Sequence, residues 1–185
     1  MPHYGDYQTL IYGAGLSGVL PTLPVDFATL KARAEAAMPA AVLNYVQGGC
    51  GDEFTQDENA RAFRHWGMVP RMMVDCTQRD LSTELFGMKL ASPLFMAPIG
   101  VTGIVTQDGH GDLAAARAAA TTGVPLCAST LANDPLEDVR LACGDTPALF
   151  QLYTPRDKDV AASLVSRAEA AGYRAIVVTL DTWVT

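Results

Sequence analysis

Val124-Pro125-Leu126-Cys127-Ala128-Ser129, Ala148-Leu149-Phe150-Gln151-Leu152-Tyr153 and Ala175-Ile176-Val177-Val178-Thr179-Leu180 are three short apolar runs, each carrying a polar group at or near its end. A fourth, Leu94-Phe95-Met96-Ala97, precedes them and stops at Pro98. Apolar runs that are continuous rather than alternating predict strands covered on both faces, as in parallel sheets. Their starts lie about one βαβ unit apart. Helical patterns fill the intervals. Asp112 to Thr122 is alanine-rich and stops at Gly123, and Asp134-Pro135 reads as an N-cap and first-turn proline of a helix reaching about Cys143. Asp157 to Ala171 sets Val160, Leu164, Val165 and Ala168 on one face and ends at Gly172. From about residue 93 the chain alternates α and β.

Two folds use this alternation. A doubly wound sheet closes with four or five strands. A (β/α)8 TIM barrel takes about 250 residues, and here four strands have passed when the 185 residues run out. Leu180 to Thr185 leave the fourth strand with no helix to cover it, so the expectation is a chain truncated after strand four. Residues 26–92 read as a helical lead-in and a hairpin. Asp26 caps a helix from Phe27 to about Ala37, Pro39 starts a second that runs through Tyr45 to Gly48-Gly49, and Asp52 to Trp66 form a third. Leu81, Thr83 and Leu85 alternate before Gly87 and return through Met88-Lys89-Leu90, a hairpin suited to plugging the bottom of a barrel.

Residues 1–25 contain G-x-G-x-x-G at Gly13, Gly15 and Gly18. A dinucleotide loop needs a long helix starting at the second glycine. Pro21 and Pro24 follow within two turns, and a proline inside a helix costs about 3 kcal/mol. The segment is therefore read as a flexible glycine-rich arm.

Thirteen basic against 20 acidic side chains leave a charge of −7, a balance that argues against a phosphate-backbone binder, which needs a basic stripe. No apolar run approaches the roughly 18 residues of a spanning helix, and the N-terminus lacks a cationic lead and an apolar cleavable stretch. The expectation is a cytoplasmic protein without a membrane partner. Cys50, Cys76, Cys127 and Cys143 stand too far apart for a zinc site or a disulfide framework. Asp108-Gly109-His110-Gly111-Asp112 is read as a cap and turn rather than a metal site, so no metal is expected.

Parallel α/β folds gather their reacting groups where strands end. Those positions are Pro98-Ile99-Gly100-Val101, Ser129-Thr130, Gln151-Leu152-Tyr153 and Thr179-Leu180-Asp181. Together they form a polar ring able to hydrogen-bond a flat heterocycle with several donors and acceptors. Each residue alone is equally well a polar group leaving the core. Tyr45, taken by itself, reads as a packing residue. None of His3, His65 and His110 falls at a strand end, so no general base stands on this rim.

Asn44-Tyr45-Val46-Gln47-Gly48-Gly49 with Asp52-Glu53, Arg71, Asp80-Leu81-Ser82, Met96-Ala97-Pro98, Phe150-Gln151-Leu152-Tyr153 and Thr179-Leu180-Asp181-Thr182 resemble, in order and spacing, the FMN-dependent 2-hydroxy-acid oxidases. The resemblance runs from about Asp26 to the last residue. Within the family it is most similar to the lactate 2-monooxygenases, through the arm from Tyr4 to Pro24, the Pro98-Ile99-Gly100-Val101 turn, Gln107 to Asp112, and Asp181-Thr182-Trp183. Ile99-Gly100 and Leu131 depart from the threonine-alanine pair and the tryptophan of glycolate-oxidase-like members.

The resemblance implies the barrel fold, with residues 93–185 its first half, and FMN as cofactor. It implies that Pro98, Ile99 and Gly100 lie against the flavin and that Ser129, Gln151 and Thr179 hydrogen-bond its ring. Tyr45 then binds the substrate carboxylate, Tyr153 faces the substrate hydroxyl, and Asp181 orients a catalytic histidine carried on a later strand. That histidine, an arginine for the carboxylate, a lysine for the flavin and the phosphate site have no match here. The expected reaction is oxidation of a small L-2-hydroxy acid, L-lactate first, with dioxygen as partner and oxidative decarboxylation as outcome. It requires a C-terminal half-barrel polypeptide or homologous chain, and a bare half-barrel's open edge favours a homo-oligomer. A plain lactate or glycolate oxidase, a non-catalytic half-barrel assembly partner, and a small doubly wound domain of other function are the alternatives.

Overall fold

In a computed structural model, residues 6–182 are described and fall into two compact units that meet in sequence at Gly67 and Met68. Residues 1–5 and 183–185, with Tyr4 and Trp183 of the resemblance, lie outside the described residues.

The first unit is helical. Helix α1 (Asp6–Gly15) corrects the reading of residues 1–25 as a flexible arm: Gly13 and Gly15 sit in its last turn, where the penalty for glycine is smallest, and Pro21 and Pro24 lie beyond its end. The G-x-G-x-x-G thus closes a helix instead of opening one, which removes the phosphate-binding geometry. Helix α2 (Phe27–Ala37) is capped as the sequence predicts, with Thr29 N–H donating to Asp26 Oδ1 at 2.8 Å. Helix α3 (Ala40–Gln47) follows Pro39, and α4 (Phe54–Ala62) tightens into a 3-10 turn at Phe63–His65. Gln47 ties the helices, donating from Nε2 to Glu35 Oε1 at 2.7 Å while its carbonyl accepts from Gln56 Nε2 at 3.2 Å.

The second unit begins with an antiparallel hairpin, β1 (Thr83–Leu85) and β2 (Met88–Leu90). Strands β3 (Leu126–Ala128), β4 (Ala148–Leu152) and β5 (Ile176–Val178) follow in a parallel sheet of that order. The predicted strand at 94–97 is reduced to a parallel bridge between Met96 and Leu126, with Met96 N–H on Pro125 O and Cys127 N–H on Met96 O. Pro93 and Pro98 bracket these four residues, and a proline donates nothing to a ladder. Strands therefore line up in sequence order with no reversal. A doubly wound sheet reverses at its switch point, so the order is that of an arc of barrel.

The two faces of the arc differ in the same sense. Leu126, Ala128, Ala148, Phe150 and Leu152 pack in one core with Ala116, Val139 and Ala168 of three helices, α5 (Gly111–Thr122), α6 (Leu136–Ala142) and α7 (Lys158–Ala171). Cys127 and Leu149, alternating with them, turn to the opposite face and share a second cluster with Met88 and Leu90 of the hairpin. The hairpin, grouped by sequence with residues 26–92, packs instead into this second unit, because its two inward side chains complete the interior layer of β3 and β4. Glycine is needed at the ends of α5 and α7, where Gly123 (φ 71°) and Gly172 (φ 88°) take the left-handed conformation. Among the described residues no helix is long and apolar enough to cross a membrane.

Candidate active site

The interior face changes character along each strand. Cys127 gives way to Ser129, Leu149 to Gln151, and two residues beyond Val177 stands Thr179. The period of two places these three polar side chains on the hairpin's face of the sheet, at the opposite, C-terminal end. Ser129 and Gln151 are buried, and Thr179 is half-buried.

Gln151 organises the row. Its Oε1 accepts from Thr130 N–H at 3.1 Å and from Ser129 Oγ–H at 3.4 Å, and its Nε2 donates to Thr179 Oγ1 at 2.7 Å. The orientation leaves one Gln151 N–H and the Thr179 hydroxyl proton uncommitted. Ser129 Oγ also accepts from Leu131 N–H at 3.1 Å. Gly100 completes the row from the first barrel segment: a Cβ built there would stand 3.0 Å from Leu131 Cβ and 3.5 Å from Ser129 Oγ. Gly100, Ser129, Gln151 and Thr179 therefore form one continuous rim.

Thr130, which the sequence places at the strand end beside Ser129 without a role of its own, braces the rim. Its hydroxyl donates to the Gln151 carbonyl and accepts from Tyr153 N–H at 3.1 Å, so it fixes the backbone on which both sit. The signal available was its place beside Ser129 at a strand end. Tyr153 is half-buried at the end of β4, and Asp181 is exposed beyond β5. Pro98 is exposed, as is Ile99, and the chain turns at Val101 (φ 49°), which is held by its N–H on Leu131 O at 2.9 Å. Tyr45 stands exposed on α3 in the first unit.

Asp134, predicted to cap α6, does not. Pro135 is extended (φ −55°, ψ 137°) and takes the cap position itself, which carries Asp134 one residue too far from the helix. Its carboxylate reaches α5 instead, accepting from Leu113 N–H at 3.3 Å and pairing with His110 Nδ1 at 2.6 Å. Hydrogen bonding to Asp134 raises the pKa of His110 above its ordinary value, with the nearby Asp108 charge adding and Arg117 opposing. Burial pushes the Cys127 thiol up to about 11 and raises that of Cys143. Among the described residues no three metal-ligating side chains come together.

The model of a family described as FMN-dependent dehydrogenase matches residues 34–185. The L-lactate oxidase of Lysinibacillus sphaericus is 38% identical over 159 residues, covering 86% of this chain and 41% of that protein. That of Alicycliphilus denitrificans is 44% identical over 149 residues, covering 80% and 40%. Among solved structures, a lactate oxidase of Pediococcus acidilactici superposes with a TM-score of 0.79 at 32% identity, covering 86% of this chain and 44% of its own. A mandelate oxidase variant with (S)-mandelic acid gives 0.78 at 34%, covering 86% and 47%. The chain has the fold of the N-terminal portion of these (β/α)8 barrels, and it spans less than half the length of the relatives it matches.

Proposed function

The chain belongs to the FMN-dependent dehydrogenase family, and from that premise we propose that it contributes the N-terminal half of an enzyme oxidising L-lactate with oxidative decarboxylation. The observation that carries the proposal is the rim Gly100–Ser129–Gln151–Thr179 at the strand ends. Its donor set suits a flat heterocycle edged by alternating nitrogens and carbonyls. It offers an amide with a spare N–H, hydroxyls that donate or accept, and a residue with no side chain to stand off a ring.

Ser129, Gln151 and Thr179 would hold the polar edge of FMN, with Pro98, Ile99 and Gly100 against its face. FMN, when bound, supplies two-electron acceptance from the substrate and the return of those electrons to dioxygen. This chain's own residues orient the substrate. Tyr45 binds the carboxylate through its hydroxyl, and Tyr153 donates to or accepts from the substrate hydroxyl. Asp181 fixes the tautomer of a histidine carried by the C-terminal half and stabilises its protonated form. Overall, L-lactate and one dioxygen give acetate, carbon dioxide and water; if pyruvate leaves early, the products are pyruvate and hydrogen peroxide.

The monooxygenase reading rests on the turn Pro98-Ile99-Gly100-Val101 and the sequence Gln107 to Asp112, where the chain resembles lactate 2-monooxygenases. The second reading is the plain oxidase, favoured by the names of the relatives. A test co-expresses this chain with the C-terminal half of an L-lactate oxidase, then measures flavin absorbance and the products from L-lactate. Bound flavin with acetate as the main product is the expected result. Pyruvate and peroxide in equal amounts establish the oxidase, and a colourless 1:1 complex refutes the flavin site.

A further inference from the structure

The segment after Gly100 and the loop after β3 are stitched together along their whole length. Val101 N–H donates to Leu131 O at 2.9 Å, and Gly103 N–H to Asn133 Oδ1 at 3.0 Å. Asn133 N–H donates to Asp112 Oδ2 at 2.7 Å, and Leu113 N–H to Asp134 Oδ2 at 3.3 Å. His110 Nδ1 meets Asp134 Oδ1 at 2.6 Å. Packing is as tight as the bonding: a Cβ on Gly103 would lie 2.7 Å from Asn133 Cγ across the two segments, and within the first segment one on Gly111 would lie 2.7 Å from Thr102 O. Asp112 and Asp134 are both buried. These two segments carry Gly100 and Leu131, which face each other at the rim.

Only one of the five links joins a group that titrates near neutrality to one held in the interior. The His110 side chain is 57% exposed, whereas that of Asp134 is 5% exposed. We propose that His110 and Asp134 are positioning residues forming a pH-dependent latch, which holds the loop after β3 against the segment after Gly100 and so sets the gap between Gly100 and Leu131. The latch itself is independent of the flavin reading; its bearing on catalysis rests on that reading.

Three charged groups face the His110 ring. Asp134 comes from the loop after β3, Asp108 from the same turn, and Arg117 from α5, the two carboxylates outweighing the guanidinium. Asp112, on α5, is engaged with Asn133 N–H. A histidine whose folded pKa lies above its unfolded one contributes fully below the unfolded value and loses that contribution as pH rises through the folded value. Neutral His110 still donates to Asp134 from its Nδ1–H tautomer, so deprotonation turns an ion pair into an ordinary hydrogen bond instead of cutting it. The latch loosens; it does not open.

The test follows the full chain by NMR from pH 5 to 9, reading the His110 ring signals and the exchange of the Gly103, Leu113 and Asn133 amides, with Phe150 in β4 as the control. In the parent chain His110 titrates above about 6.5. Protection of these three amides, after division by intrinsic exchange, falls roughly two- to five-fold across that titration while Phe150 stays level. Asp134→Asn lowers the His110 titration towards its ordinary range, with Asp108 and Arg117 left to oppose each other, and exposed His110→Gln removes the step without unfolding the chain. An ordinary titration of His110 in the parent chain, or a step that survives His110→Gln, overturns the latch. Because no reading involves FMN, a colourless protein with an intact step leaves the latch standing and refutes only the flavin site.

Discussion

Replacing Thr130 by valine tests a bracing role that its place at a strand end did not reveal. The exchange keeps the β-branched shape and deletes one oxygen, which now donates to the Gln151 carbonyl and accepts from Tyr153 N–H at 3.1 Å. Each neutral bond nets about 0.5–1.5 kcal/mol, and a half-buried N–H left without a partner costs about 1–3 kcal/mol. The added methyl, at a half-buried site, returns at most about 0.8 kcal/mol. The balance is a loss of about 1–3 kcal/mol, a large part of the stability of a domain this size. In urea, with a slope of about 1–3 kcal/mol per molar, the unfolding midpoint falls by about 1 M, followed by far-ultraviolet circular dichroism. Thr130→Ser keeps the oxygen and recovers most of the loss. If valine costs less than about 0.5 kcal/mol, or serine is no better than valine, Thr130 does not brace Gln151 and Tyr153.

Tyr173→Phe removes a buried hydroxyl that donates to Leu136 O at 2.8 Å and whose ring packs 5.7 Å from that of Phe150; a loss of about 1–2 kcal/mol is expected in the same urea assay. Iodoacetamide at pH 8 should modify exposed Cys50 and Cys76 and spare Cys127 and Cys143, whose thiols burial holds protonated, with peptide mass spectrometry as the readout. Gly100→Ala brings a methyl to 3.0 Å from Leu131 Cβ, tighter than ordinary contact, so Leu131 must give way. In the assembled enzyme this should change the ratio of acetate to pyruvate by at least about twofold, about 0.4 kcal/mol in partitioning; an unchanged ratio removes Gly100 as a determinant of product retention.

What the sequence revealed depended on whether a residue's partner was near it in the chain. The strand ends were legible because burial on both faces leaves a continuous apolar run, and an amide such as Gln151 inside that run has to be satisfied by a neighbouring strand. Asp26 was legible because its partner, Thr29, lies three residues on. Helix α1 was not: Pro21 and Pro24 ruled out a helix starting at Gly15 and said nothing of one ending there, with Gly13 and Gly15 in its last turn, where little helix remains to be weakened. Asp134 had two claims on it, a local one from the helix that follows and a distant one from α5. Pro135 decides between them, because an extended proline moves the cap one residue along and frees the carboxylate to turn back 21 residues to Leu113. The pattern Asp-Pro before a helix thus carries two outcomes with the same local sequence. They separate only once α5 has packed beside the loop, and hence a latch across the rim is built from residues that, read locally, do no more than cap and turn.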